Sequence, residues 1–142
     1  PPACPPRAPS TASEIIMAGS KYDIRVSSTT RYVEEQSDPA GGRYVFAYTI
    51  TIVNSGAITA QLLNRHWIIT DAKGHVQEVR GAGVVGEQPV LEPGSSYQYT
   101  SAAVLETPVG SMHGSYEMQA VDGLRFDATI PAFSLSVPRM LH

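Results

Sequence analysis

Gly81-Ala82-Gly83-Val84-Val85-Gly86 has the G-x-G-x-x-G spacing with which a dinucleotide fold brings its backbone close to a pyrophosphate. In that fold a following helix supplies the positive end of its dipole. Here Glu87-Gln88-Pro89 arrives at once, Pro89 disfavours helical geometry at Gln88, and Leu91-Glu92-Pro93-Gly94 turns the chain again. Without the helix, the anion chemistry left to the motif is a nest of backbone N–H groups. The plainer reading is a tightly curved loop between strands.

Other reactive residues form no constellation. His66, His75, His113 and His142 make no H-E-x-x-H or Cys/His array, so no zinc site is readable. His113 and Glu117 would meet on a helix, but on a strand they stand about 13 Å apart and cannot share an ion. His66, beside Trp67, reads first as a packed or hydrogen-bonded residue. A metal site assembled from distant strands is invisible to spacing, so its residues stay unknown. There is no Gly-x-Ser-x-Gly elbow, and Cys4 in a Pro-rich leader has no environment that would lower its pKa. Glu34-Glu35 reads as a solvated pair. These observations point away from catalysis and call for no cofactor. They leave Arg80, Gly81, Gly83, Val84, Val85 and Gly86, with His66, as a candidate contact surface for a partner or ligand. Val84 and Val85 either point outward as an apolar contact or tuck in to close one end of the fold.

The elements that must position these residues read as strands. Tyr22, Ile24 and Val26 alternate with polar residues, and in 43–53 Tyr44, Phe46, Tyr48, Ile50 and Ile52 share one face. Further β-rich segments fall at 60–64, 66–70, 76–80, 95–103, 115–121 and 124–131. They are separated by Asp71-Ala72-Lys73-Gly74, Pro93-Gly94, Pro108-Val109-Gly110 and Asp122-Gly123, the last read as a two-residue hairpin loop. No stretch carries a helical apolar period free of Gly and Pro. Seven or eight short strands predict an all-β, immunoglobulin/fibronectin-III-like antiparallel sandwich, with a small barrel as the alternative. Trp67, Tyr44, Tyr48, Tyr97, Tyr99 and Tyr116 are its natural core.

The 142 residues suit one domain. Residues 1–20 read as a disordered Pro-rich leader, which vector or upstream sequence would also explain, with Met17 a candidate start. Residues 21–137 read as the domain and 138–142 as a short tail. The net charge of −3 and ten scattered basic residues lack the footprint of a nucleic-acid binder. One cysteine allows no internal disulfide, and no stretch approaches a membrane span. The expected location is cytoplasmic, the expected partner a protein. An exposed edge strand would also allow a homodimer.

Several blocks together resemble the bacterial ApaG (CorD) family. They are Arg65-His66-Trp67-Ile68-Ile69-Thr70-Asp71, Glu78-Val79-Arg80 with the glycine loop through Pro89, Leu91-Glu92-Pro93-Gly94, Tyr99-Thr100-Ser101 and Leu105-Glu106-Thr107-Pro108-Val109-Gly110. Met112, Gly114-Ser115-Tyr116-Glu117-Met118 and Ile130-Pro131-Ala132-Phe133 complete the set. The resemblance runs from about Tyr22 to Leu135. It implies a fibronectin-III-like sandwich, a link to cobalt tolerance and magnesium efflux, and a domain reused inside F-box and polymerase-delta-interacting proteins, hence an interaction module. It implies no catalytic residues, and its suggested pyrophosphate binding rests on the glycine motif. Ala82 stands where the family leads one to expect Glu, making this loop less acidic. The resulting expectation is a non-enzymatic protein-interaction module. The alternative is a sensor of nucleotide pyrophosphate or a divalent cation near residues 81–86.

Overall fold

The period-two segments pair into two antiparallel sheets. The computed structural model describes residues 20–138, so the expected leader through residue 19, Cys4 within it, and residues 139–142 of the tail lie outside the described residues. Eight strands follow in order: β1 Ile24–Tyr32, β2 Tyr44–Asn54, β3 Ala60–Asp71, β4 Val76–Ala82, β5 Val90–Leu91, β6 Ser96–Leu105, β7 Val109–Ala120 and β8 Arg125–Ser136. One sheet has the order β1-β2-β6 and the other β4-β3-β7-β8, with the short β5 also pairing with β3. Among the described residues there is no α-helix, only 3₁₀ turns at Ser20–Tyr22, Glu34–Gln36 and Pro39–Gly41. This is the expected all-β antiparallel sandwich of two sheets.

Several boundaries differ from expectation, each for a local reason. The first strand begins at Ile24, because Lys21 and Tyr22 belong to a 3₁₀ turn. The segments expected at 60–64 and 66–70 are one strand, β3, whose register slips between Leu62 and Asn64. This bulge changes which parity faces inward. Strand β7 starts at Val109, far ahead of the expected 115. Strand β8 runs through Pro131 because it is an edge strand and its register slips there, with Met112 opposite Phe133 but Gly114 opposite Ile130. The Asp122-Gly123 connection is a three-residue loop, closed by Gly123 N–H to the Ala120 carbonyl and Ala120 N–H to the Leu124 carbonyl, with Gly123 at φ 93°.

The core lies between the sheets. Phe46, Ile50 and Ile52 from β2 meet Leu62, Met112, Met118 and Ile130, all fully buried. Trp67 stands edge-on to Tyr48 at 5.4 Å, to Phe133 at 5.9 Å and to Tyr116 at 6.3 Å between ring centres. Of the expected aromatic core, Trp67, Tyr48, Tyr99 and Tyr116 are buried, and Tyr44 and Tyr97 are partly buried against it.

The hydroxyls of Tyr99 on β6 and Tyr116 on β7 hydrogen-bond across the interior. Burial pushes the Tyr99 phenol up to about 12 and Tyr116 higher still. Both groups are neutral in the fold, so their contribution to stability is complete below the ordinary value of 10.0 and is lost as pH rises through the folded value. In a titration followed at the phenolate absorbance band, two of the seven tyrosines should ionise only together with loss of the near-ultraviolet circular dichroism. Ionisation of all seven ahead of that loss would contradict the buried pair.

Candidate functional site

The glycine motif is an excursion in a strand edge. Strand β4 pairs with β3 from Val76 opposite Thr70 to Ala82 opposite Asn64, and β5 resumes on β3 with Val90 opposite Gln61. Gly81 and Ala82 therefore lie on a strand, not in a loop. The backbone between them and β5 stays tied to β3: Gly83 N–H donates to the Leu63 carbonyl at 2.8 Å, and Leu62 N–H to the Pro89 carbonyl at 3.0 Å. Gln88 Nε2 adds a bond to the Leu63 carbonyl at 2.9 Å.

At the tip of the excursion, Val84 and Glu87 exchange two backbone hydrogen bonds of 2.8 Å. The two residues between them, Val85 at φ 42° and Gly86 at φ 82°, are both left-handed. That is a primed hairpin turn, for which Asn-Gly is the preferred pair. The two valines part company: Val84 is fully buried in the core cluster, whereas Val85 is 55% exposed. Gly83 has no alternative at φ 65°, since a Cβ there would stand 2.2 Å from the Glu87 carbonyl oxygen. A β-branched residue at Val85 carries strain that Asn would relieve. Val85→Asn should raise stability by about 1 kcal/mol and the midpoint of thermal unfolding by about 3–5 °C, read by calorimetry.

Arg65 clamps this excursion from the inner side. Its Nη1 donates to the Ala82 carbonyl at 3.0 Å and the Gly83 carbonyl at 2.9 Å. The guanidinium fills the space over Gly81, where a Cβ would meet Arg65 Nη2 at 2.7 Å. Three amides of a would-be anion nest, Gly83, Val84 and Glu87, are thus spent on protein carbonyls, and two carbonyl oxygens are turned toward Arg65.

On the outer face of the larger sheet, next to the excursion, a polar hollow of about 550 Å³ is lined by Asn64, His66, Arg80, Ala82, Glu117 and Asp127, with Arg65, Gly81 and Ser115. Cross-strand pairing gathers them: Arg80 and Ser115 flank His66, Ala82 and Glu117 flank Asn64, and Asp127 follows Glu117. His66 Nε2 lies 2.6 Å from Glu78 Oε2, and Arg80 Nη2 lies 3.2 Å from the same oxygen. The bond to His66, ahead of the positive field of Arg80, holds the Glu78 carboxyl below its usual range. Asn64 Nδ2 donates to Glu117 Oε1 at 2.6 Å, while Arg125 approaches Glu117 Oε2 at 3.7 Å. Among the described residues no three His, Cys, Asp or Glu side chains converge as a metal set, and no helix is long and apolar enough to cross a membrane.

Of the expected site residues, His66, Arg80 and Gly81 come together in the hollow. Gly83 and Gly86 shape the hairpin, Val85 forms its exposed tip, and Val84 is core. Arg65, Asn64 and Asp127 carry no chemical signal of their own in the sequence, and Glu117 enters it only as a rejected ion partner of His113. The available signal was phase: Ala60 and Leu62 alternate out of step with Trp67 and Ile69, which requires an odd residue between them and brings Arg65 to the inner face.

Comparison with known proteins is consistent with this fold. The ApaG domain model matches residues 34–120. Protein ApaG of Nitrosospira multiformis is 64% identical over 124 residues, covering 87% of this chain and 98% of that protein. Protein ApaG of Thiobacillus denitrificans is 61% identical over 124 residues, covering 87% and 98%. A crystal structure assigned to an ApaA protein of Bordetella pertussis superposes with a TM-score of 0.83 at 52% identity, covering 85% of this chain and 98% of that one. With the domain model spanning more than half of its length and relatives matched almost end to end, the chain belongs to the ApaG domain family.

Proposed function

We propose that this chain is a non-enzymatic binding module that docks a protein partner on the Val85 hairpin and the polar hollow beside it. The observation that carries the reading is Val85, an exposed β-branched side chain held left-handed on a hairpin whose base is fixed by buried Val84 and the Arg65 clamp. Strain retained at an exposed apolar tip is the pattern of a contact residue rather than of a fold determinant. The hollow supplies the polar rim that surrounds such anchors, with Arg80 and His66 toward one side and Glu117 and Asp127 toward the other. In this reading the cobalt and magnesium phenotypes that the family resemblance implies act through a partner.

A photoreactive side chain at position 85 of the full chain, compared with one at exposed Thr29 on β1, tests this in bacterial cells. A discrete adduct from position 85, absent from position 29 and weakened by Arg80→Glu, is expected. Equal adducts from both positions would sink the reading. Saturable amide shifts at Gly81, Gly83 and Gly86 with micromolar ATP, Mg²⁺ or Co²⁺ would also sink it, in favour of a nucleotide or cation sensor.

A further inference from the structure

The two sheets differ in width. Strands β1 and β8 meet along one side of the sandwich, but on the other side the small sheet ends at β6 while the large one continues to β4. The inward residues of β4 therefore line an open cleft of about 330 Å³ instead of a closed core. Its apolar wall is Tyr48, Trp67, Ile69, Val79 and Ala103, drawn from β2, β3, β4 and β6.

One cationic side chain in this cleft is only partly satisfied. Arg65 spends Nη1 on the Ala82 and Gly83 carbonyls. Among the described residues no carboxylate lies within salt-bridge distance of its guanidinium, and Nε and Nη2 make no hydrogen bond. Trp67, on the same wall, is 2% exposed, and among the described residues its Nε1 is buried without a hydrogen-bond partner. A half-buried cation without a counter-charge is costly, and one well-placed carboxylate offsets that cost. On either side run the unpaired edges of β4 and β6, whose free N–H and C=O groups template an added strand.

We infer that the cleft is completed by an extended segment of another polypeptide that carries an acidic side chain. The segment pairs with the free edge of β6 and lies over the inner face of β4. Its apolar residues cover Val79 and Ala103, and an Asp or Glu on the same face reaches Arg65. Main-chain pairing supplies affinity in this mode, and alternate side chains supply selectivity. The inference rests on the binding-module reading but assigns the partner a different face, the open side of the sandwich.

The test is an amide-shift titration of the intact chain with a capped peptide, Ser-Val-Thr-Glu-Thr-Val-Ser, whose Val, Glu and Val share one face, and with its Glu-to-Gln counterpart. The expected result is saturable shifts along β6 at Ala102 and Val104 and along β4 at Val79, with the Gln peptide weaker by about tenfold or more. Arg65→Met should erase the preference for Glu and Arg65→Lys should retain it. Should Arg65→Met disturb the clamp, Val79→Glu, on a half-exposed position, supplies a carboxylate in cis and should abolish binding of the Glu peptide. Equal affinity for the two peptides overturns the inference, as does silence along β6 at millimolar peptide. Shifts confined to Val85 and Gly86 overturn it while leaving the hairpin reading standing. Self-association of the chain through β6, seen as concentration-dependent shifts without peptide, overturns it in favour of a second copy.

Discussion

Gly114→Ala should lower stability by about 3 kcal/mol or more, a fall of about 10–15 °C in the unfolding midpoint. Gly114 lies in the middle of β7, opposite Trp67 on β3 and Ile130 on β8, where the β7–β8 register slips. A Cβ there would stand 2.0 Å from the His66 carbonyl oxygen and 3.1 Å from the Trp67 Cα. Both obstacles are backbone of the neighbouring strand, so no side chain can swing aside. Strands β3 and β7 would have to part beneath the aromatic cluster and beneath the hollow at once. Urea unfolding should show a lower midpoint with an unchanged slope. Gly74→Ala is the comparison: nothing lies within 4 Å of its Cβ, and the cost there is only that of φ 85°. A Gly114→Ala loss below about 1 kcal/mol, equal to that of an ordinary turn glycine, would mean the strands tolerate separation.

That glycine also explains what the sequence conceals. The strand class, the aromatic core and the long apolar face of β2 follow from alternation, because each depends on neighbours in sequence. Strand β7 is hidden at its start because Gly110, His113 and Gly114 interrupt the apolar pattern where backbones approach. A Cβ on Gly110 would meet the Thr70 carbonyl oxygen at 2.6 Å. Pro131 likewise looks like an end until β8 is known to be an edge strand, where a missing donor costs no ladder bond. The two residues of β5 carry no period at all. For the site, His66 and Arg80 attract notice by type, but Asn64, Glu117 and Asp127 are ordinary residues on three strands whose adjacency exists only once register is fixed. The opposite fates of Val84 and Val85 come from a two-residue turn that turns one side chain into the core and the other into solvent.

The bulge in β3 links these features. By moving Arg65 to the inner face it places a guanidinium under the glycine excursion, which fixes the hairpin base, while Asn64 and His66 are left on the outer face for the hollow. Hairpin, hollow and cleft are thus three consequences of one inserted residue, and Arg65 touches all three.

Asn54→Ala should be the second large loss, about 3 kcal/mol, with a local signature at the excursion. Asn54 ends β2 and is 1% exposed. Its Nδ2 donates to the Ile58 and Leu91 carbonyls at 2.9 Å each, and its Oδ1 accepts from Gly56 N–H at 2.9 Å. Alanine would orphan three groups, the Leu91 carbonyl in a buried place and the Ile58 carbonyl and Gly56 N–H in part-buried ones, and unmade buried bonds cost more than made ones contribute. Asn54→Asp should be no better, since it keeps the Gly56 bond but turns a carboxylate toward two carbonyls. Because β5 is held to β3 over only two residues, losing the Leu91 bond should free the end of the excursion first. Leu62 N–H, bonded to the Pro89 carbonyl, is the reporter. In Asn54→Ala its hydrogen exchange should quicken relative to that of Ile50 in the centre of β2, beyond what the global loss accounts for. If Leu62 and Ile50 instead quicken in parallel, β5 and the hairpin are held by the sheet as a whole, and Asn54 is a local plug with no part in setting the position of Val85.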